Sequence, residues 1–164
     1  MKIAIIADTH DNLANIKKIL DWLKKEKINK VIHCGDVCTV FTLKEGFGPF
    51  PGEMYISLGN ADFEAPEKYK LSPNFFIFEK SGEINIGGKK IAFTHGRGEA
   101  ENLVKTKKYN LVFFGHTHTP WEEKKGGTRL VNPGEAGGDF DPATFAIYDT
   151  EKDNLELKII EQLT

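Results

Sequence analysis

Residues 1–25 read MKIAIIADTHDNLANIKKILDWLKK and determine how the fold begins. The run from Lys2 to Ala7 is almost wholly apolar and predicts a buried strand, because it is too short for a signal peptide or a membrane span. Apolar residues then recur at helical spacing, at Leu13, Ile16, Ile19, Leu20 and Leu23. This spacing predicts an amphipathic helix, and Asn12 is expected to cap it. Asp8 and His10 therefore lie between a strand and a helix.

The pattern of an apolar strand followed by a polar loop recurs along the chain. Residues 31–32 form a strand that stops at Asp36, residues 54–58 one that stops at Asn60, and residues 111–114 one that stops at GHTH, residues 115–118. The other expected elements are a hairpin over residues 83–94 turning at Gly87-Gly88 and ending on His95, a helix over 99–107, and strands near 128–131, 144–149 and 155–160. An early βαβ unit followed by successive strands indicates a mixed α/β architecture.

Residues 46–52, GFGPFPG, are rich in chain breakers and predict a loop between the second and third strands. Two readings of its aromatic residues stay open. Phe47 and Phe50 are either exposed on the loop or tucked beneath it.

Length and composition limit the class of protein. A chain of 164 residues fits one domain, residues 1–164, with a core of two or three layers. The 22 basic and 24 acidic residues give a formal charge of −2, so no bulk positive field attracts nucleic acid. Cys34 and Cys38 are the only cysteines, and they lack C-x-x-C spacing. We therefore expect no disulfide scaffold, no structural zinc, no membrane association and a cytoplasmic location.

The histidines carry the strongest functional signal, because four of the five lie in loops just after apolar strands. Asp8, Asp36 and Asn60 occupy equivalent positions, and strand ends are where layered α/β folds assemble their sites. Each motif alone is typical of a turn or a helix cap, but the ordered combination predicts a shared metal centre. Imidazole, carboxylate and amide ligands suit Mn²⁺, Fe, Zn²⁺, Ni²⁺ or Co²⁺. The fifth histidine, His33, is expected to pack as an ordinary strand residue.

The motifs D-x-H, G-D, G-N, H and G-H-x-H follow one another in order across residues 8–118. With this pattern the chain resembles the calcineurin-like metallophosphoesterase superfamily. GHTH followed by NPG at residues 132–134 is similar to the compact archaeal and bacterial phosphodiesterases of that superfamily. The resemblance covers nearly the whole chain. It implies a two-sheet β-sandwich with helices on both outer faces, in α-β-β-α layers, and a site at the strand ends along one edge.

The same resemblance implies two divalent metal ions per chain, with Mn²⁺ favoured over Ni²⁺, Co²⁺, Fe or Zn²⁺. The first ion would take Asp8, His10, Asp36 and His118, and the second Asp36, Asn60, His95 and His116, so that Asp36 bridges the pair. A hydroxide bridging the ions would be the nucleophile, because coordination lowers the pKa of bound water to about 7. No nucleophilic Ser or Cys is then required.

The candidates for a role in the chemical step are Asp36, His95, Asp62 and Arg97. Many members of the superfamily place a His at position 61 that protonates the leaving group, and Ala61 has no proton to donate. Asp62 is expected either to orient a ligand or water or to be a simple turn residue. Arg97 is a candidate clamp for a phosphate oxygen. Glu135 stands where many relatives have Ser, and the sequence assigns it no role.

The predicted function is hydrolysis of small phosphate diesters by a dinuclear metal-dependent phosphodiesterase. One alternative is a non-catalytic protein-binding scaffold, since one eukaryotic retromer subunit shares this fold, but the intact ligand set argues against it. A second alternative is a nuclease, which the near-neutral charge and the lack of a DNA-binding extension disfavour. The sequence leaves a homo-oligomer open.

Overall fold

Eleven strands and two helices make up the computed structural model, which describes all 164 residues. The strands are β1 (Lys2–Ile6), β2 (Lys30–His33), β3 (Glu53–Ser57), β4 (Phe75–Phe78), β5 (Ser81–Ile86), β6 (Lys89–Thr94), β7 (Leu111–Phe113), β8 (Trp121–Lys125), β9 (Thr128–Asn132), β10 (Thr144–Asp149) and β11 (Asn154–Ile159). The helices are α1 (Leu13–Lys25) and α2 (Arg97–Lys105). Shorter helical segments lie at Thr42–Phe47, Pro66–Tyr69 and Ile160–Gln162.

The strands form two mixed sheets. The six-stranded sheet has the order β11-β10-β1-β2-β3-β4. Strands β1 to β4 are parallel, and β10 pairs antiparallel with both β1 and β11. The five-stranded sheet has the order β5-β6-β7-β9-β8, in which β6, β7 and β9 are parallel and the two edge strands antiparallel.

Alternating side chains of β1 show how the layers stack. Ile3 and Ile5 point between the two sheets, where they pack with residues of β6 and β7 such as Phe93 and Phe113. Ala4 and Ile6 point the other way, into the cluster that α1 covers. A third cluster holds α2 against the outer face of the five-stranded sheet. The order of layers is therefore α-β-β-α, and the predicted α/β fold class is confirmed.

Both sheets direct the carboxyl ends of their parallel strands to one edge, here called the site edge. The loops that follow β1, β2, β3, β6, β7 and β9 lie at this edge. Hydrogen bonds join these loops across the sheets, as from the His116 N–H to Asp8 and from the Gly137 N–H to the Asp8 carbonyl. Residues far apart in the sequence thus meet on one surface, as expected for ligand sites in α/β folds.

The structure differs from the sequence prediction at three places. The loop expected at residues 46–52 begins inside the helical segment Thr42–Phe47, and Phe47 and Phe50 are both buried, so the reading in which they are tucked beneath the loop is the correct one. Strand β4 was not predicted, because its apolar run is too short to distinguish a strand from a buried helix. Strand β8 was not predicted either, because it is a polar edge strand without an apolar pattern.

The structure contains no helix with the length and apolar character needed to cross a membrane. The longer of the two α-helices, α1, has 13 residues and one buried face.

Candidate metal centre

Seven side chains from five loops meet at the site edge. They are the seven predicted ligands Asp8, His10, Asp36, Asn60, His95, His116 and His118. Asp8, His10 and His118 are close enough to share one ion, with His118 Nε2 3.6 Å and His10 Nε2 3.9 Å from Asp8 Oδ1. His10 Nε2 also lies 3.7 Å from Asp36 Oδ2. These four residues, Asp8, His10, Asp36 and His118, are called group 1.

The remaining side chains gather on the other side of Asp36. His95 Nε2 lies 3.3 Å from Asp36 Oδ2, 2.9 Å from Asn60 Oδ1 and 3.2 Å from His116 Nδ1. Asp36, Asn60, His95 and His116 are called group 2. Asp36 Oδ2 thus faces a histidine of each group.

The spacing of these atoms fits bound cations. Ligand atoms held about 2.0 to 2.2 Å from one ion lie roughly 3 to 3.5 Å apart, and most of the distances in both groups are close to this range. His10 Nε2 is buried and has no hydrogen-bond partner, although it faces the carboxylates of Asp8 and Asp36. A cation between these three side chains would satisfy the nitrogen and both carboxylates.

The tautomers in group 2 leave the correct nitrogen free for an ion. His95 Nδ1 lies 4.0 Å from Asp8 Oδ1, but the same atom is 2.9 Å from the carbonyl oxygen of Cys34. We take the shorter contact as the hydrogen bond, because a backbone carbonyl is a strong acceptor at that distance. A proton on Nδ1 leaves Nε2, which faces Asn60 and Asp36, as the nitrogen that could bind an ion.

The backbone is strained where it carries the ligands. Asp8, His10, Asp36, His116 and His118 all have positive φ angles, between 44° and 69°. This left-handed conformation costs a residue with a side chain about 1 to 3 kcal/mol and tends to persist at functional sites. Five of the seven predicted ligands share it, so the local backbone is not at its energetic optimum.

Glycine is required beside the ligands. Gly35 has a φ of 95°, and a Cβ there would lie 2.6 Å from Nδ1 of His95. At Gly59 a Cβ would lie 2.2 Å from the carboxylate of Asp36. The glycines of the G-D and G-N motifs therefore let the loops approach the ligand side chains.

The electrostatics of the metal-free centre favour protonated histidines. Contacts with the carboxylates of Asp36 and Asp8 raise the pKa of His10 to about 10. Burial opposes the charged form of His95, but Asp36 outweighs burial and raises its pKa. Burial also opposes ionisation of Asp36, but His10, His95 and the Ala61 N–H together hold its pKa well below the usual range. Without a metal ion, protons on His10 and His95 offset the negative charge of the buried carboxylates.

Backbone hydrogen bonds fix the two aspartates. Asp36 Oδ1 accepts from the Ala61 N–H at 2.8 Å, and Asp8 accepts from the His116 N–H at 3.1 Å. Ala61 therefore contributes its backbone to the centre but no titratable side chain.

Asp62 holds the loops that carry the ligands. Its carboxylate accepts hydrogen bonds from the N–H groups of Asp36, Cys38 and Gly59, at 3.0, 2.7 and 2.7 Å. These contacts join the loops after β2 and β3, so Asp62 positions the backbone of Asp36.

Arg97 lies at the start of α2 and is engaged elsewhere. Its guanidinium is 4.7 Å from the centre of the Trp121 ring, and its Nε is 3.3 Å from Glu101. It touches none of the seven ligands in this structure. Its role as a phosphate clamp stays a prediction.

Two carboxylates behind group 1 were not predicted. Glu135 is almost wholly buried, and its Oε2 lies 2.9 Å from Nδ1 of His118. Asp139 Oδ2 lies 3.3 Å from Nδ1 of His10. Carboxylates behind ligating histidines fix the ring tautomer and increase the basicity of the ligand. The NPG motif gave the only sequence signal, because it is followed directly by Glu135.

The remaining polar residues have structural roles. Asn12 caps α1 by accepting from the Asn15 N–H, as predicted. His33 is wholly buried in β2, and burial lowers its pKa to about 3, so it is neutral. Cys34 and Cys38 are both free.

A cleft of about 300 Å³ opens beside group 2. Asn60, His95 and His116 form part of its wall, and Lys80 is the only Lys or Arg among its lining residues. Group 2 is therefore reachable from solvent.

Comparison with known proteins places this geometry among enzymes. Residues 1–153 match the model for the calcineurin-like phosphoesterase superfamily domain. The phosphodiesterase MJ0936 of Methanocaldococcus jannaschii is 34% identical over 98% of this chain and 100% of that protein. The solved structure of an archaeal phosphodiesterase superposes with a TM-score of 0.88 at 32% identity, covering 97% of this chain and 99% of that chain.

A more distant structure shares the fold alone. Vacuolar protein sorting 29 of Cryptosporidium parvum superposes with a TM-score of 0.68 at 22% identity, covering 96% of this chain and 95% of that chain.

Proposed function

The chain belongs to the calcineurin-like phosphoesterase superfamily, whose members are metal-dependent hydrolases, and we propose that it is a dinuclear phosphodiesterase acting on small phosphate diesters. The name of the M. jannaschii relative supports the reaction class, since the two proteins align over nearly their full lengths. We take residues 1–164 as one domain. The free cysteines favour a reducing cytoplasm as its location.

The position of Asp36 is the single observation that carries the proposal. Its Oδ2 lies 3.7 Å from a histidine of group 1 and 3.3 Å from a histidine of group 2. One carboxylate placed between two sets of candidate ligands is the arrangement expected for a bridging ligand. Groups 1 and 2 would each hold one divalent ion, with Asp36 shared.

The donor set favours transition metals, and we propose Mn²⁺, with Ni²⁺, Co²⁺, Fe and Zn²⁺ as alternatives. Four imidazoles suit these ions better than Mg²⁺, which prefers oxygen ligands. When bound, the two ions would supply an activated water as nucleophile and stabilise negative charge on the phosphate.

The chain itself sets the charge and the access of substrate. Asp8 and Asp36 offset about half of the charge of two divalent ions, while the imidazoles and Asn60 are neutral ligands. The resulting positive centre attracts a singly charged diester. His95 and Asn60 hold group 2 at the wall of the open cleft. The formal charge of −2 disfavours a polymeric nucleic-acid substrate.

The complete ligand set also separates this proposal from a scaffold function. The likeness to vacuolar protein sorting 29 is one of fold, at 22% identity. All seven ligand positions here carry side chains that bind metals, and they meet at one site.

A matched pair of variants tests the proposal. The Mn²⁺-loaded protein is assayed with bis-p-nitrophenyl phosphate and with p-nitrophenyl phosphate. We expect the diester to be hydrolysed faster, Asp36→Asn to abolish this activity, and Asp21→Asn to retain it, since Asp21 is exposed on α1 and pairs with Lys17. Absence of hydrolysis by the loaded native protein, or equal activity of the two variants, would contradict the proposal.

A further inference from the structure

The three most exposed large hydrophobic side chains all lie in segments that follow strands of the site edge. Phe63, Phe140 and Phe41 are 83%, 80% and 61% exposed, whereas the next, Met1, is 47% exposed. Phe41 lies beyond β2, Phe63 beyond β3 and Phe140 beyond β9. These three residues are called the aromatic rim. Exposed aromatics in segments that follow the strands of a candidate catalytic centre indicate a binding surface.

Phe140 is the member of the rim in contact with the metal centre. Its ring centre lies 5.4 Å from that of His118, with the ring planes tilted by 53°. The Phe140 N–H donates to Glu135, the residue that faces His118, and the preceding Asp139 contacts His10. The Phe140 ring therefore contacts His118 directly, and the residue before it contacts His10.

The loop that carries Phe140 is anchored although the ring is exposed. Asn12 and Asn15 donate hydrogen bonds to the carbonyl oxygens of Gly137 and Ala136, and the Gly137 N–H donates to Asp8. A loop held this firmly has no need of an exposed phenylalanine for its own stability. The ring is left free to contact a bound molecule.

Phe41, in the helical segment after β2, and Phe63, in the loop after β3, lie on segments that contact each other. The Val40 N–H donates to Glu64 at 3.0 Å, which joins the residues next to the two phenylalanines. Asp62, the residue before Phe63, accepts a hydrogen bond from the backbone N–H of Asp36. These two rings thus border the loops on the Asp36 side of the centre.

Carboxylates accompany the aromatic rings. Asp139 and Asp141 flank Phe140, Glu64 follows Phe63, and Asp11 binds Thr39 near Phe41. Acidic groups repel an anionic membrane surface and a nucleic-acid backbone, so they argue against both as occupants. They also accept hydrogen bonds from the N–H and O–H groups of a nucleoside, which a plain hydrocarbon surface lacks.

We propose that the aromatic rim binds the base of a nucleoside phosphodiester whose phosphate lies at the metal centre, with Phe140 as the principal stacking residue. The inference rests on the proposed phosphodiesterase function and adds its substrate class. Bases stack on aromatic side chains in a sequence-tolerant way. The substrate is therefore recognised by a planar base on one ester arm.

The test compares diesters that share one leaving group and differ in the retained arm. These are thymidine 5′-(p-nitrophenyl) phosphate, phenyl p-nitrophenyl phosphate and methyl p-nitrophenyl phosphate. Each loss is the ratio of kcat/KM between native and variant protein on one compound, so intrinsic reactivity cancels. We expect Phe140→Ala to lower kcat/KM for the thymidine ester about ten-fold or more, and for the methyl ester several times less. Phe140→Tyr should retain the preference.

Phe76→Ala is the matched control, because Phe76 is a partly exposed phenylalanine on β4 that stacks on Tyr55. It should leave all three rates unchanged. Equal losses on the thymidine and methyl esters, or no loss, would overturn the inference. A loss on the phenyl ester as large as on the thymidine ester would overturn the nucleoside assignment. If Phe140→Ala changes the mass measured by sedimentation but not the selectivity among the three esters, the aromatic rim is a contact between copies of the protein, and the inference is overturned.

Equilibrium binding separates failure of this inference from failure of the proposed function. The Mn²⁺-loaded protein is titrated with thymidine 5′-phosphate and with methyl phosphate. If no diester is hydrolysed but thymidine 5′-phosphate binds more tightly and Phe140→Ala removes the difference, the proposed activity fails and base recognition stands. If diesters are hydrolysed and the two phosphates bind alike, the proposed activity stands and base recognition fails.

Discussion

The carboxylate of Glu135 lies directly behind the imidazole of His118, with Oε2 2.9 Å from Nδ1. The other oxygen, Oε1, accepts from the N–H groups of Phe140 and Asp141. Burial would raise the pKa of Glu135, but these backbone bonds and His118 lower it, so the carboxylate is ionised. The geometry between Oε2 and Nδ1 is not that of a hydrogen bond, so Glu135 acts on His118 through its negative charge, while Nε2 faces Asp8 in group 1.

Replacing Glu135 with Gln should weaken metal binding without unfolding the protein. The amide oxygen can still accept from the two backbone N–H groups, but the negative charge behind His118 is lost. Substitutions of residues that support a metal-ligating histidine lower the metal affinity about 10- to 100-fold. Calorimetric titration with Mn²⁺ measures the change, and melting of the metal-free proteins checks folding. Glu156→Gln, on the exposed face of β11, is the control and should leave the Mn²⁺ affinity unchanged. Identical Mn²⁺ affinities of native protein and Glu135→Gln would refute the role of Glu135 in supporting His118.

Metal binding should strengthen as the pH rises. The pKa of His10 is raised to about 10 by Asp36 and Asp8, and that of His95 is raised also, so an entering ion must displace protons. A raised pKa stabilises the metal-free fold at low pH and loses this effect as the pH rises through the folded value. The gap in Tm between metal-loaded and metal-free protein should therefore widen as the pH rises from about 6.5 towards 10.

Calorimetry in two buffers of different ionisation enthalpy counts the protons directly. We expect at least about one proton to be released for each protein chain that binds its metal ions. A heat that is independent of the buffer, with an affinity that is flat across this pH range, would contradict the assignment of protons to His10 and His95.

Activity should disappear on chelation and return with Mn²⁺, Ni²⁺ or Co²⁺ more fully than with Mg²⁺. The reason is the donor set, in which four imidazoles meet only two carboxylates and one amide. The measurement is the rate of bis-p-nitrophenyl phosphate hydrolysis after dialysis against chelator and addition of each metal. Full activity in excess chelator, or better recovery with Mg²⁺, is the contrary result.

The acidity of the leaving group should control the rate of the native enzyme. Ala61 offers a backbone N–H to Asp36 but no side-chain proton, so a leaving oxygen must depart as an anion or take its proton from water. Ala61→His should reduce this dependence by supplying a proton donor at a position that is partly exposed. The comparison is a plot of log rate against leaving-group pKa. A flat plot for the native enzyme, with chemistry rate-limiting, would show that another residue donates the proton.

The sequence was sufficient to predict which side chains meet at the site edge, because each of them follows a strand. The apolar runs before Asp8, Asp36 and Asn60 predicted strands, and parallel strands end at a common edge. The same logic applied to His95, His116 and His118 in the other sheet. The helix α1 was likewise predictable from its apolar spacing and the Asn12 cap.

Other features depended on contacts between distant segments. Glu135 and Asp139 reach group 1 because the loop after β9 folds back onto Asp8, and no local pattern encodes that return. Asp8 and His118 belong to residue types that tolerate the left-handed backbone better than most, but no local sequence pattern shows that these two residues adopt it. The strand β8 was missed because its residues are mostly charged, and pairing with β9 alone makes it a strand.

The number of metal ions in native protein and in two matched variants tests the central claim of a centre bridged by Asp36. Elemental analysis of the Mn²⁺-loaded protein should find two ions per chain, and electron paramagnetic resonance should show them magnetically coupled. Asn60→Ala, which removes one neutral ligand from group 2, should keep the ion in group 1, whereas Asp36→Asn should disturb both groups. One uncoupled ion per chain in fully active native protein, or the same metal content in both variants, would contradict the claim.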